Sequence, residues 1–75
     1  MKEWEKLYQI VDNLSKAINN LSSVIYDVVK TTKEIPELYS IAKKLVDHEK
    51  ELRRLKREIE DIAEDYWRRD TESRF

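Results

Sequence analysis

The chain has 75 residues, 41% of them charged, with a net charge of −1, one proline, no glycine and no cysteine. This length fits a single domain, residues 1–75, and the absence of cysteine excludes disulfides and cysteine-held metals. The near-neutral charge disfavours general binding to nucleic acid or to an anionic membrane, and the lack of long apolar runs predicts a soluble cytoplasmic protein without a membrane span or signal peptide.

The first predicted helix runs from about residue 2 to about residue 30. Its apolar residues alternate in steps of three and four, as in a heptad repeat. The members of this first ladder are Trp4, Leu7, Val11, Leu14, Ile18, Leu21, Ile25 and Val28. A flank of Ile10, Ala17 and Val24 makes the apolar stripe wider than the seam between two helices requires. We therefore expect this helix to contact more than one neighbour.

A loop at residues 31–35 connects the predicted helices, and Pro36 is expected in the first turn of the second one, where its missing N–H is not needed. The second helix is predicted for residues 36–69, followed by a frayed tail at 70–75. Its ladder begins a new phase after the proline. The members of this second ladder are Leu38, Ile41, Leu45, His48, Leu52, Leu55, Ile59, Ile62 and Tyr66.

The two ladders match in one antiparallel register. Trp4 would pair with Ile62 near the open end, and Val28 would pair with Leu38 near the loop. Agreement among pattern, loop and register predicts an all-α fold, an antiparallel helical hairpin. Such a hairpin leaves apolar flanks exposed, and a small core needs a partner, so we expect it to dimerise into a four-helix bundle. The predicted oligomer interface comprises Ile10, Ala17, Val24, Tyr39, Val46 and Trp67.

His48 is the polar member of the second ladder. It could form a polar core layer that fixes register or responds to pH. Alternatively, its ring leans out of the seam, and we favour this second interpretation because an isolated histidine more often behaves so.

Two further clusters are candidate binding sites. Four aromatic residues gather at the open end, where they could bind a protein partner or cover the end of the core. They are Trp4, Tyr8, Tyr66 and Trp67. The basic run comprises Arg53, Arg54, Lys56 and Arg57, which could contact nucleic acid. Interleaved glutamates favour a salt-bridged solvated surface instead.

The sequence contains no phosphate-binding loop and no nucleophile motif, and its ladder positions carry no paired carboxylates for a di-metal site. We therefore expect no enzyme activity and no cofactor. The predicted function is that of a small structural or interaction protein, a homodimer that acts as an adaptor or regulator. The alternatives are a nucleic-acid-binding dimer of the same shape and a subunit of a hetero-oligomeric coiled coil. The charged, cysteine-free composition also fits a thermophilic source.

Overall fold

The computed structural model describes residues 2–72 and contains two α-helices, α1 at Glu3–Thr31 and α2 at Leu38–Glu72. The helices pack against each other as an antiparallel hairpin with extents of 61 × 16 × 12 Å. This confirms the predicted all-α hairpin. Within residues 2–72, neither helix has the length and apolar character needed to cross a bilayer.

The turn between the helices is closed by threonine side chains and a short run of backbone hydrogen bonds. Thr31 Oγ1 donates to Asp27 O at 2.7 Å, and Thr32 Oγ1 donates to Val29 O, so both hydroxyls bond back to carbonyls in the last turns of α1. Tyr39 N then donates to Pro36 O at 3.0 Å as α2 begins. No described residue adopts a positive φ, so this turn works without glycine.

The helix boundaries differ slightly from those expected. Helix α1 extends one residue past the predicted end at 30, and α2 begins at Leu38, so Pro36 lies in the turn before the helix. The predicted tail at 70–75 is wrong for residues 70–72, which are helical, and Lys2 Nζ lies 2.7 Å from Asp70 Oδ2. This cross-helix ion pair holds the last turn of α2. The rest of the predicted tail lies outside the described residues.

Among residues 2–72, four side chains form the buried core of the hairpin. Val11 and Ile18 contribute from α1, and Ala42 and Ala63 contribute from α2, with Ile18 and Ala63 almost completely covered. Alanine has no side-chain atoms beyond Cβ, so α1 and α2 can approach closely at these two levels. The core is consequently narrow, and most of the larger apolar side chains remain partly in contact with solvent.

The inward face of α2 is rotated relative to the predicted ladder. Leu38, Leu45, Leu52 and Ile59 are partly buried as expected, but the alternate members are not. The alternate inward positions belong to Ala42, Glu49, Lys56 and Ala63, each one residue later than Ile41, His48, Leu55 and Ile62. The ladder counted large apolar side chains, whereas the contact with α1 uses small residues and long polar residues.

The register also differs from the predicted one. Ser22 Oγ donates to Glu49 Oε1 at 2.8 Å, whereas the predicted pairing places Lys44 opposite Ser22. The contact between Lys2 and Asp70 is displaced in the same direction. The turn, from Thr32 to Glu37, is longer and lies later than predicted, which accounts for part of the shift because it moves the start of α2 toward the C-terminus.

Candidate interaction faces

The hydrogen bond between Ser22 and Glu49 marks one long side of the hairpin, which we call the polar face. Glu49 also accepts from Arg53 Nε at 3.1 Å and from Arg53 Nη2 at 2.7 Å. These charged hydrogen bonds, followed by that from Ser22, hold the pKa of Glu49 below its usual range. The result is a polar link between α1 and α2 near the middle of the hairpin.

The same face carries a shallow apolar groove of about 390 Å³ beside the turn. Val29 from α1 lines it together with Tyr39, Ala42 and Val46 from α2. Lys43 lies across the Tyr39 ring, with its Nζ 5.4 Å from the ring centroid. This groove is open to solvent along its length.

The opposite long side of the hairpin, which we call the apolar face, is identified from the positions of its residues around each helix. Ile10, Ala17 and Val24 are spaced by seven residues, so they lie on one side of α1. Each comes three residues after a leucine that faces α2, whereas Ser22 and Val29 lie on the other side of that inward row. On α2, the four ladder members that do not face α1 lie on the same side of the hairpin. The apolar face comprises Ile10, Ala17, Val24, Ile41, His48, Leu55 and Ile62, all of which are exposed.

The structure therefore divides the predicted oligomer interface between two sides. Ile10, Ala17 and Val24 lie on the apolar face, where Ile10 and Val24 are each 49% exposed. Tyr39 and Val46 line the groove on the polar face, and Trp67 shares their helical phase. A single flat contact with one partner cannot cover both sets.

His48 does not form a core layer within the hairpin. It is exposed, and the inward position at this level belongs to Glu49. This exposure agrees with the interpretation in which the His48 ring leans out of the seam between the helices. His48 instead lies in the row of the apolar face, between Ile41 and Leu55.

The aromatic residues lie at the open end as expected. Trp4 and Tyr8 make an edge-to-face contact with ring centroids 6.3 Å apart, and Trp4 Nε1 donates to Asp70 Oδ2 at 3.4 Å. The Arg69 guanidinium lies 5.2 Å from the centroid of the Tyr66 ring. Trp67 remains 45% exposed. Trp4 thus helps to close the hairpin, while Tyr8, Tyr66 and Trp67 keep surface available.

The basic run is paired with acids along its own helix. Arg54 bonds to both Glu51 and Glu58, and Lys56 Nζ lies 3.6 Å from Glu60 Oε1. The hydrogen bond from Arg54 holds the pKa of Glu51 below its usual range. Arg53, Lys56 and Arg57 line a small polar hollow together with Glu60. These contacts make the surface one of alternating charge and not a continuous basic patch.

Sequence reasoning missed the inward role of Glu49. The pair with Arg53 follows the i,i+4 spacing that favours ion pairs on a helix, whereas the bond to Ser22 depends on how the two helices pack. The sequence feature that could have indicated this bond is the group of asparagine and serine residues in the middle of α1, because these side chains need a polar neighbour wherever they approach α2. Among residues 2–72, no group of three or more His, Cys, Asp and Glu side chains is arranged to hold a metal ion.

Comparisons with family models, curated proteins and solved structures found no match to this chain.

Proposed function

We propose that this protein is a non-enzymatic interaction protein that works as a homodimer, in which two hairpins form a four-helix bundle. The main observation behind this proposal is that the buried core is small compared with the apolar surface that remains exposed. In the described part of the chain four side chains are buried, whereas Ile10, Val24, Ile41 and Ile62 are each close to half exposed. Small domains depend on oligomers, disulfides or metals when one core is insufficient, and this cysteine-free chain favours the oligomer.

A bundle of this kind would act as an adaptor. A bundle of hairpins 61 Å long would display charged outer surfaces, and each hairpin would present its own aromatic end. Tryptophan and tyrosine are enriched among residues that dominate binding energy at protein interfaces. Tyr8, Tyr66 and Trp67 are therefore the residues through which we expect the dimer to contact a further protein.

The nucleic-acid alternative has less support. Contacts with phosphates require basic side chains that can exchange counterions for the nucleic acid backbone. Here Arg53, Arg54 and Lys56 already pair with glutamates of the same helix, and the net charge is −1. The acids would repel phosphate from the same surface.

The test is the absolute mass in solution, measured by light scattering across a dilution series at two salt concentrations, with helicity followed by circular dichroism. We expect a helical species of twice the chain mass that persists at high salt, because apolar burial is not screened. A helical monomer would contradict the proposal. A poorly helical monomer would also contradict it, and would favour the hetero-oligomeric alternative.

A further inference from the structure

We infer that a second copy of this chain occupies the apolar face, in an arrangement that places both turns at the same end of the bundle. This inference rests on the proposed homodimer and specifies its interface and symmetry. It excludes the groove on the polar face as the dimer contact.

The size of the apolar face fits a dimer. The hairpin outline of 61 × 16 Å gives one side on the order of 1,000 Å², comparable with the roughly 800 Å² that each partner buries in a standard interface. Exposed apolar residues are spaced by seven along both helices, from Ile10 to Val24 and from Ile41 to Ile62. The contact therefore extends along most of the hairpin.

The charge on this face favours a second copy over an unrelated protein. Two-fold contacts bring a surface against itself, so charged residues near the axis would meet their own kind. Between Ile10 and Val24 and between Ile41 and Ile62, the row on each helix carries no acid, lysine or arginine. The groove side is different, because Lys43, Asp47 and Lys50 border it.

Two symmetric arrangements could cover the apolar face. In the first, the two-fold axis runs along the bundle, the turns lie together, and α1 packs against α2 of the second copy. In the second, the axis crosses the bundle, the turns lie at opposite ends, and α1 packs against α1. Both arrangements make all neighbouring helices antiparallel, so helix dipoles do not distinguish between them.

The register of the hairpin supports the first arrangement. An axis along the bundle leaves every residue at its own level, and the levels are fixed by Lys2 beside Asp70 and Ser22 beside Glu49. The facing pairs between copies are then Glu3 with Arg69, Ile10 with Ile62, Ala17 with Leu55, Val24 with His48, and Thr31 with Ile41. This register places Ile10 against Ile62 and Ala17 against Leu55, and it closes the open end with the opposite charges of Glu3 and Arg69.

The exposed residues along the edges of the apolar face support the same choice. With the turns together, the edge pairs between copies are Lys6 with Asp65, Asn13 with Glu58, Asn20 with Glu51, and Asp27 with Lys44. Two pairs have opposite charge, as two also do with the turns at opposite ends, so the choice rests on the other two pairs, in which an amide can donate to a carboxylate. With the turns at opposite ends and the axis at the level of Ala17 and Leu55, Glu51 of one copy would instead approach Glu58 of the other, and Arg69 would approach Ile41.

Cysteine cross-linking tests this arrangement directly, because the chain has no cysteine of its own. Ala17→Cys and Leu55→Cys are made as separate variants, and each is oxidised alone and after mixing with the other. A disulfide requires Cα atoms within about 7 Å. We expect a covalent species of twice the chain mass in the mixture only, since position 17 faces position 55 of the second copy. Mixing separate variants excludes a disulfide within one chain.

The controls separate the failure of this inference from the failure of the proposed dimer. Asn19→Cys and Arg53→Cys, away from the apolar face, should give no covalent dimer alone or mixed. If Ala17→Cys or Leu55→Cys cross-links alone, the turns lie at opposite ends and the inference is wrong. If the wild-type chain is a dimer but positions 17 and 55 never cross-link, the contact uses another face. A monomeric wild-type chain would overturn the proposed function as well.

Discussion

Ile18 is the large side chain on which the hairpin core depends most. It is 2% exposed, whereas Tyr26 on the same helix is 68% exposed. We expect Ile18→Ala to lower the free energy of unfolding by about 2–5 kcal/mol, because it removes a buried side chain and leaves a cavity. Tyr26→Ala should change it by no more than about 0.5 kcal/mol. Urea unfolding at a fixed protein concentration measures both, and similar losses would contradict the assigned core.

Glu49 gives the hairpin a defined response to acid. Its pKa is lowered by the hydrogen bonds from Arg53 and Ser22, so the unfolded chain binds protons more readily than the folded one. This contribution to stability is present above the ordinary glutamate pKa of about 4.3 and is lost as the pH falls through the lowered value. We expect Glu49→Gln to show a smaller acid-induced loss of stability than the wild-type chain.

Thermal unfolding between pH 7 and pH 2 measures this difference. Glu34→Gln, in the turn, changes the net charge equally and serves as the control. The control should follow the wild-type acid profile. Parallel profiles for Glu49→Gln and the wild-type chain would show that the link to Ser22 and Arg53 has no energetic role.

At the scale of the helices, Ala63 distinguishes the observed inward face of α2 from the predicted ladder. It is completely buried against α1, whereas Ile62 is 48% exposed. We expect Ala63→Leu to destabilise the hairpin by about 1–3 kcal/mol, because the larger side chain does not fit the close helix contact. If Ile62 were the inward residue, Leu at position 63 would face solvent and the unfolding midpoint would not change.

The helices themselves were predictable because their signals are local. Heptad spacing, the absence of glycine and the single Pro36 place two helices and a turn within two or three residues of the observed ends. The members Leu38, Leu45, Leu52 and Ile59 of the second ladder were also correct. These features depend on residues close together in the chain, where periodicity is informative.

The face of α2 that packs against α1 was harder to predict, because apolar residues cover a wider arc of this helix than one helix–helix contact needs. Ile41, Leu55 and Ile62 have the hydrophobicity of core residues, and periodicity alone cannot say which neighbour they contact. Close approach to α1 favours Ala42 and Ala63, whose small size carries little weight in a hydrophobic pattern. The register depended further on where α2 begins, and helix ends are among the least certain features of a sequence-based prediction.

At the scale of the whole molecule, edge charges provide a second test of how two copies pack. Asp27→Lys should weaken the dimer roughly tenfold in Kd, since two altered pairs per dimer each contribute a modest surface interaction. Lys44→Asp in the same chain should restore the affinity, because Asp27 is expected to face Lys44 of the second copy. Sedimentation equilibrium at low salt measures these affinities.

Lys6→Asp provides the matched comparison for this rescue. It restores the same net charge to the Asp27→Lys variant, but position 6 faces position 27 only if the turns lie at opposite ends. Rescue by Lys6→Asp and not by Lys44→Asp would contradict the inferred arrangement. Equal rescue by both would show that only net charge matters.

The contact between Lys2 and Asp70 also bears on the order in which the chain folds. In a hairpin, the sequence separation between contacting residues grows steadily from the turn, and it reaches 68 residues at this ion pair. The entropy lost on closing a loop increases with its length, so contacts beside the turn can form first and shorten each later closure. Folding that begins at Thr32–Glu37 would leave the aromatic end until last, and the same end would open first when the hairpin unfolds.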